Sequence, residues 1–140
     1  MTTAIDTNIV SALWDKDPTL NLAARTALEK AFRRGGLVVA APVFSELIAA
    51  PGRSETFVGS FFEETSITID WDLSEAVWRS AGRAFQSYAE RRRKQRDSGV
   101  RRILADFLIG AHALTGGYRL LTLDKGLYGA AFPSLTVETV

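Results

Sequence analysis

The chain has no cysteine and a single histidine among its 140 residues. Without cysteine there can be no disulfide framework, thiolate zinc site, iron–sulfur cluster or thiol nucleophile. The one histidine, His112, cannot build a histidine zinc site alone, and we expect it to be a core or interface residue. No apolar run is long enough to span a bilayer, and the N-terminus lacks a basic region followed by an apolar stretch. We therefore expect a cytoplasmic protein that does not associate with a membrane.

The chain is rich enough in apolar residues to bury a core, since 46% of its residues are hydrophobic. Its length suits one domain, which we expect to cover residues 1–140. Strands are predicted at residues 2–6, 37–40, 66–70, 118–123 and 135–140. Helices are predicted at residues 7–14, 20–34, 42–50, 55–64, 73–95 and 101–115, the fifth of them starting at a capping box formed by Asp72 and Glu75. This alternation predicts an α/β domain with a parallel sheet of about five strands flanked by helices.

Basic residues are concentrated in one part of the chain, although the formal net charge is only +1. Residues 79–102 hold nine of the 17 Lys and Arg. Seven of these nine are candidates for contact with a phosphate backbone: Arg91, Arg92, Arg93, Lys94, Arg96, Arg101 and Arg102. A solvated helix end explains the first five equally well, because cations suit a helix C-terminus. Cations at the start of the helix 101–115 oppose its dipole, so contact with a polyanion or an acidic partner segment is favoured there.

Four acidic residues lie within or beside apolar segments, where an unpaired carboxylate costs several kcal/mol. Asp6 and Asp124 close the apolar runs in TTAIDTNIV and LLTLDKG. Glu46 and Asp106 are the only charged residues in PVFSELIAA and ILADFLIGAHAL. Asp6 and Asp124 fall at the carboxyl ends of predicted strands, where ligands collect in parallel sheets. Asp106 falls about two turns into its predicted helix and Glu46 about one turn into its own. We therefore expect all four to meet at one edge of the sheet.

Four carboxylates gathered in one place cannot all stay ionised unaided, because like charges raise each other's pKa. Divalent cations would fill the space between them, and hard oxygen ligands suit Mg²⁺ or Mn²⁺. One or two such ions can stabilise the in-line displacement of a phosphoryl group. The alternative for each acid taken alone is a helix cap or a partly exposed side chain.

The same four segments resemble the acidic motifs of a PIN domain, and of VapC-type toxin ribonucleases in particular. The quoted pieces AIDTNIV, SELI, ILADFLIGAHAL and LLTLDKGLY stand in the order of that family across residues 3 to about 137. The resemblance implies Mg²⁺- or Mn²⁺-dependent hydrolysis of RNA, with catalytic, metal-binding acids at Asp6, Glu46, Asp106 and Asp124. It also implies that nearby polar groups support these acids, at Thr7, Asn8 and Thr122. The partners it implies are an RNA substrate and a cognate antitoxin protein, and we also expect a homodimer.

Other functions remain open at this point. A PIN nuclease with a housekeeping role would carry the same acids. A phosphohydrolase with Asp6 as nucleophile would want a second Asp at position 8, which is Asn8, and a phospho-receiver would want an early acidic pair that is absent. A non-catalytic RNA- or protein-binding module usually loses acids, and none is missing here.

Aromatic residues are the last group with a predicted role. We expect the three tryptophans, Trp14, Trp71 and Trp78, to be packing residues. A short apolar patch that would cover the core or meet another protein is formed by Phe57, Phe61 and Phe62.

Overall fold

The computed structural model describes residues 1–96, 99 and 101–140 as a parallel sheet surrounded by helices. Its strands are β1 (Thr3–Ile5), β2 (Leu37–Ala40), β3 (Ile67–Asp70), β4 (Arg119–Leu121) and β5 (Val137–Glu138). Neighbouring strands all run parallel, in the order β3-β2-β1-β4-β5. The predicted α/β fold with a parallel sheet of five strands is therefore confirmed for the described part of the chain.

The helices found in the described residues are α1 (Thr7–Leu13), α2 (Pro18–Arg34), α3 (Ala41–Ala49), α4 (Glu55–Glu64), α5 (Glu75–Lys94), α6 (Leu104–Gly116) and α7 (Lys125–Ala131). The first six match predicted helices to within a few residues, and α7 was not predicted. Among these helices none combines the length and the apolar character that crossing a bilayer requires.

Two helix starts differ from the prediction for local reasons. Helix α6 begins three residues later than expected, because Ile103 is extended, with φ −107° and ψ 161°. Helix α5 is capped by Ser74, whose Oγ accepts a hydrogen bond from the amide of Val77 at 3.3 Å. The predicted capping box at Asp72 is therefore wrong, since a serine one residue before the helix satisfies the exposed amides instead.

The strand order reverses at β1. The chain builds β1, β2 and β3 in one direction across the sheet and then returns to place β4 on the other side of β1. In doubly wound sheets this point of reversal leaves a crevice at the carboxyl ends of the two diverging strands. Here that crevice lies beyond Ile5 of β1 and Leu121 of β4, which pair in register.

Helix α6 is the most deeply buried helix of the described part of the chain. Every residue from Phe107 to Ala113 is buried, and the helix packs against α3, α5, β2 and β4. At Gly110 the helix comes so close to the ring of Phe132 that a Cβ would lie only 2.7 Å from its Cδ2. Glycine at position 110 therefore sets the distance between α6 and the end of α7.

Side-chain hydrogen bonds at both edge strands connect the sheet to neighbouring elements. At the edge strand, Glu138 accepts hydrogen bonds from Arg34 and Arg119, and the Arg34 hydrogen bond above all lowers the pKa of Glu138 to about 2. On the opposite side, the buried ring of His112 lies with Nε2 3.0 Å from Oδ2 of Asp70. His112 is thus a core residue, as predicted.

The aromatic residues only partly follow the prediction. Trp14 packs edge-on against Phe57 and Phe61 with ring centroids about 5 Å apart, so part of the predicted phenylalanine patch is covered. Trp71 and Trp78 are 61% and 50% exposed, although Trp71 packs edge-on against Phe44 with ring centroids 5.2 Å apart. Both lie on one surface beside α3, which leaves that surface with a large apolar exposure.

Candidate active site

Three of the four predicted acids lie where a helix begins. Asp6 follows β1 directly and caps α1, with Oδ1 2.7 Å from the amide of Thr7. Asp124 caps α7, and Asp106 lies in the first turn of α6, where its Oδ2 accepts from the amide of Ile103 at 3.3 Å. The amide dipoles at a helix N-terminus stabilise a negative charge. The fold thus supplies part of what these carboxylates need to stay ionised.

All four acids line a single cavity of about 390 Å³ at the crevice between β1 and β4. Glu46 reaches it from the middle of α3, and the other three reach it from their helix starts. Asp106 lies one turn nearer the helix start than the sequence suggested, because α6 begins at Leu104. The structure therefore brings together the four residues that the sequence singled out, while their roles as catalytic metal ligands stay a prediction.

Asp6 is the most deeply buried of the four, with 5% of its surface exposed. Burial raises the pKa of Asp6 from 3.8 to about 6, against the opposing effect of hydrogen bonds from Thr122 and Thr7. The negative charge of Asp106 raises it further. Near neutral pH the surroundings of Asp6 therefore favour the binding of a proton or a metal cation over a bare carboxylate.

Glu46 and Asp106 share the same electrostatic problem. Burial raises the pKa of Glu46, and the charge of Asp106 adds to the rise. Burial likewise raises the pKa of Asp106, partly offset by its hydrogen bond from Ile103 and by the charge of Arg102. Because the charge of Asp106 raises the pKa of Glu46 and the charge of Asp124 raises the pKa of Asp106, a divalent cation between the acids would relieve the repulsion.

Hydroxyl and amide groups fix the directions of the carboxylates. Thr122 is fully buried, and its Oγ1 donates to Oδ2 of Asp6 at 2.7 Å. The same oxygen accepts from the amide of Asp124 at 2.9 Å and from Nδ2 of Asn8 at 3.3 Å. Thr7 Oγ1 donates to Oε1 of Glu46 at 2.5 Å. The three supporting residues predicted from the sequence therefore contact the acids or one another, as expected, and the function they support stays a prediction.

Tyr128 is a further candidate that the sequence did not reveal. Its side chain comes from α7 and is 1% exposed, and its hydroxyl is directed at Asp6, whose pKa this contact lowers. Burial first, and then the charges of Asp6 and Asp106, raise the pKa of Tyr128. The available signal was its position four residues after Asp124, one turn into a helix that was itself missed.

Arg102 places a positive charge at the rim of the acidic cavity. Its Nη1 lies 2.7 Å from Oδ2 of Asp124, and it is among the residues that line the cavity. Both side chains are about one third exposed, so this pair contributes about 1 kcal/mol or less to stability. One acid of the cavity thus already has a cationic partner, whereas no salt bridge to Asp6, Glu46 or Asp106 is found within the part of the chain that the structure describes.

The other predicted RNA-binding residues divide into two groups. Arg91 and Arg92, together with Arg102, line a second cavity beside the first. The remaining four are exposed and lie outside it: Arg93, Lys94, Arg96 and Arg101. Contact with RNA stays a prediction for all seven.

The donor set of the acidic cavity fits a magnesium or manganese ion better than a calcium cage. Carboxylate oxygens and water are the ligands that Mg²⁺ prefers, and the cavity supplies carboxylates from four separate segments of the chain. In the described residues, no three acidic or histidine side chains are placed so that they could hold one ion by themselves. Mg²⁺ suits such a site because it keeps several waters and uses only one or two carboxylates beside substrate oxygens.

The chain thus has a doubly wound parallel sheet with a carboxylate-lined cavity at its point of reversal, which is the place where α/β proteins of this kind hold their ligands. The chain belongs to the PIN domain family, whose match covers residues 3–133. The resemblance drawn from the four acidic motifs is therefore confirmed. PIN domains are nucleases, and nuclease activity is the general part of the predicted function.

Solved structures of toxin–antitoxin systems share the fold. The VapBC2 structure from Rickettsia felis, bound to a DNA fragment from its promoter, covers 99% of this chain and 98% of its own, with 19% identity and a TM-score of 0.71. The match to FitAcB from Neisseria gonorrhoeae covers 96% of this chain and 95% of the FitAcB chain, with 20% identity and a TM-score of 0.65. VapC20 from Mycobacterium tuberculosis, a toxin that cleaves the sarcin–ricin loop, covers 91% and 94%, with 12% identity and a TM-score of 0.58. Among curated protein sequences none matches this chain.

Proposed function

We propose that this protein is a metal-dependent endoribonuclease of the cytoplasm and the toxin of a type II toxin–antitoxin pair. The observation that carries the proposal is the meeting of Asp6, Glu46 and Asp106, each with a raised pKa, in one cavity of a PIN domain. Such a set of carboxylates destabilises the fold unless something binds it. A bound cation would offset this cost, which supports cation binding as the function of these carboxylates.

The chain's own residues would prepare the cavity for phosphodiester hydrolysis. A bound Mg²⁺ or Mn²⁺ would supply Lewis-acid stabilisation of the charge that develops on the phosphate oxygens. Thr122 donates a hydrogen bond to one carboxylate oxygen of Asp6, and Thr7 donates one to a carboxylate oxygen of Glu46. Fixed carboxylates need no reorganisation when the ion and the substrate arrive, which is where an enzyme gains most of its rate.

RNA as substrate is supported by two observations of different kind. The solved structures that share this fold include VapC20, described as cleaving the sarcin–ricin loop. In this chain, three arginines line a cavity next to the acidic one, which suits a strand with phosphates on both sides of the bond to be cut. Asn8 in place of a second Asp argues against a phosphohydrolase that uses Asp6 as its nucleophile.

Removal of divalent metal should abolish cleavage of single-stranded RNA. We expect the purified protein to cut RNA in Mg²⁺ or Mn²⁺, to stop in EDTA, and to recover when Mn²⁺ is restored. Metal should also raise the melting temperature, because an ion that binds only the folded state stabilises it by about 2.7 kcal/mol at a hundred times its Kd. Gel electrophoresis of labelled RNA and thermal unfolding measure the two effects separately.

Two controls separate the alternatives. A DNA strand of the same sequence tests the choice of nucleic acid, and a small phosphoester tests for a phosphohydrolase. Cleavage that persists in EDTA would refute the metal-dependent mechanism. A metal-induced rise in melting temperature without cleavage of any RNA would leave a binding module as the better description.

A protein partner that carries an arginine into the acidic cavity would inhibit the enzyme. Solved relatives of this fold are complexes of toxin with antitoxin, such as FitAcB and VapBC2. The cavity's carboxylates suit the planar fork of an arginine, which would take the place of the metal. An apolar groove of about 440 Å³, lined by Leu13, Phe32 and Phe61 among others, could hold the rest of such a partner.

The partner is tested with the small protein encoded beside this chain's own gene. We expect its co-purification to suppress RNA cleavage, and we expect Arg→Ala in its tail to restore it. Arg→Lys is the matched control, since lysine keeps the charge but loses the bidentate geometry and should inhibit less. If no neighbouring protein binds, a housekeeping nuclease becomes the better proposal.

We further propose a homodimer built on the exposed tryptophans. Trp71 and Trp78 line an apolar cavity of about 550 Å³ together with Pro42 and Leu108. Exposed apolar surface of this kind usually marks an interface. A sedimentation experiment that gives a monomer at micromolar concentration would contradict the dimer without touching the nuclease proposal.

A further inference from the structure

A second cavity lies directly beside the acidic one. It has a volume of about 390 Å³ and is formed by the last turns of α5, by Gly99 and Arg102 ahead of α6, and by α7. We name it the arginine cavity, and its lining residues are Tyr88, Arg91, Arg92, Gln95, Gly99, Arg102, Leu127 and Ala130. The charges that face it from the described residues are all positive.

The walls of the arginine cavity are held in place by Tyr88. The Tyr88 hydroxyl accepts a hydrogen bond from the backbone amide of Arg102 at 2.8 Å and another from Nη1 of Arg92 at 3.4 Å. Arg92 Nη2 also donates to the carbonyl oxygen of Gly99. The Tyr88 ring packs against Phe107 of the core, with ring centroids 5.4 Å apart. The end of α5 and the approach to α6 are thus joined through one hydroxyl, so the cavity exists before any ligand binds.

Arg102 belongs to both cavities. Its side chain lines the arginine cavity and also lines the acidic cavity, where it pairs with Asp124. A strand whose scissile phosphate lies among the acids would therefore meet Arg102 at the next step along its backbone. The acidic cavity repels every phosphate other than the one that its metal binds, so a neighbouring phosphate needs a cationic place of its own.

We propose that the arginine cavity binds the RNA backbone phosphate adjacent to the scissile one, with Arg91 and Arg102 as its ligands. Guanidinium groups pair with phosphate in a bidentate fashion, and a cavity that is already formed loses little entropy on binding. Arg102 would then exchange Asp124 for the phosphate and turn from the acids towards the substrate. This proposal rests on the proposed ribonuclease function.

Arg91→Gln tests the subsite without touching the acids. The probe is a fluorescein-labelled single-stranded RNA that the wild-type protein cleaves, bound to Asp6→Asn protein so that it survives the measurement. We expect Arg91→Gln to weaken binding by about tenfold and to reduce the slope of log affinity against log salt by about 0.7, the value for one phosphate of a single strand. Arg83→Gln is the matched control, because Arg83 is an exposed arginine of α5 outside the arginine cavity.

A neutral linkage locates the phosphate. Replacing one phosphate at a time by a methylphosphonate should weaken binding most at a position next to the cleaved bond. With Arg91→Gln, that particular substitution should have no further effect, because the contact is already lost.

Three outcomes would overturn the subsite. The first is equal loss for Arg91→Gln and Arg83→Gln, and the second is equal loss for Arg91→Gln and Arg93→Gln, since either would mean diffuse attraction by the whole helix end. The third is a uniform response to every neutral linkage. In these cases RNA cleavage by wild-type protein would persist, so the nuclease proposal would stand, whereas absence of RNA binding and cleavage would remove both.

Discussion

Asp6→Asn should lower RNA cleavage by roughly a hundredfold or more, because removing a ligand costs more than the 10- to 100-fold typical of its supporting contacts. The asparagine keeps the size of the side chain and can still accept from the amide of Thr7, so the helix cap survives. Its amide nitrogen gains no bond to Oγ1 of Thr122, because that oxygen already accepts from Asp124 and Asn8, so the variant loses one hydrogen bond together with the charge. The change therefore removes a charge rather than a fold element.

The same substitution should stabilise the metal-free protein. Because the pKa of Asp6 is about 6 in the folded chain and near 3.8 in its ordinary state, the folded state holds the proton more tightly. Its contribution to stability is present below about pH 4 and is lost as the pH rises through 6. At pH 7 we expect Asp6→Asn to raise the free energy of unfolding by about 1–2 kcal/mol and the melting temperature by about 3–6 °C.

Asp17→Asn is the matched control for both effects. Asp17 also caps a helix, with Oδ1 2.9 Å from the amide of Thr19, but it is exposed and lies outside the acidic cavity. We expect this variant to retain cleavage and to gain no stability. Full activity in Asp6→Asn would exclude Asp6 as a ligand, and a loss of several degrees would call for Asp106→Asn as the second test of the same cavity.

Gly110→Ala should destabilise the protein although it adds a good helix former. An alanine inside a helix normally gains up to about 1 kcal/mol over glycine. Here its Cβ would overlap the buried ring of Phe132, and forcing a group into a packed core costs about 1–3 kcal/mol. We expect a net loss of about 2 kcal/mol and a fall of about 5–10 °C in melting temperature.

The cost at Gly110 should also appear in cleavage, since α6 carries Asp106 and the chain before Phe132 carries Asp124. Gly82→Ala is the control, because Gly82 lies within α5 with nothing within 4 Å of an added Cβ, and it should stabilise slightly. Replacing the ring by a smaller side chain with Phe132→Leu in the Gly110→Ala background should restore part of the lost stability. Unchanged stability in Gly110→Ala alone would mean that α6 and Phe132 separate without cost.

The sequence was sufficient for the sheet and for the four acids because both depend on local pattern. Short apolar strands between helices predict a parallel sheet, and the carboxyl ends of its strands then gather Asp6 and Asp124. Helix α7 was missed because its seven residues, KGLYGAA, include two glycines, which lower helix propensity. Its start signal is Asp124, for which the sequence favours the role of ligand over that of helix cap, whereas the structure shows it as a cap.

Contacts between distant segments could not be obtained in this way. The prediction started α6 at Arg101, which put cations at the positive end of a helix, and the structure removes the conflict by leaving Arg101 and Arg102 outside it. The pairing of Arg102 with Asp124 and the burial of Tyr128 among the acids depend on how α6 and α7 meet. No spacing in the sequence encodes that meeting.

The strand order also governs when during synthesis the cavity can exist. Strand β1 lies in the middle of the sheet, but its neighbour β4 is made more than a hundred residues later. Until Leu121 has left the ribosome, one edge of β1 has no pairing strand, and Asp6 has no Thr122 to hold it. A nascent chain can therefore pair its first three strands before the acidic cavity exists, and the cavity is complete only once β4 has been synthesised.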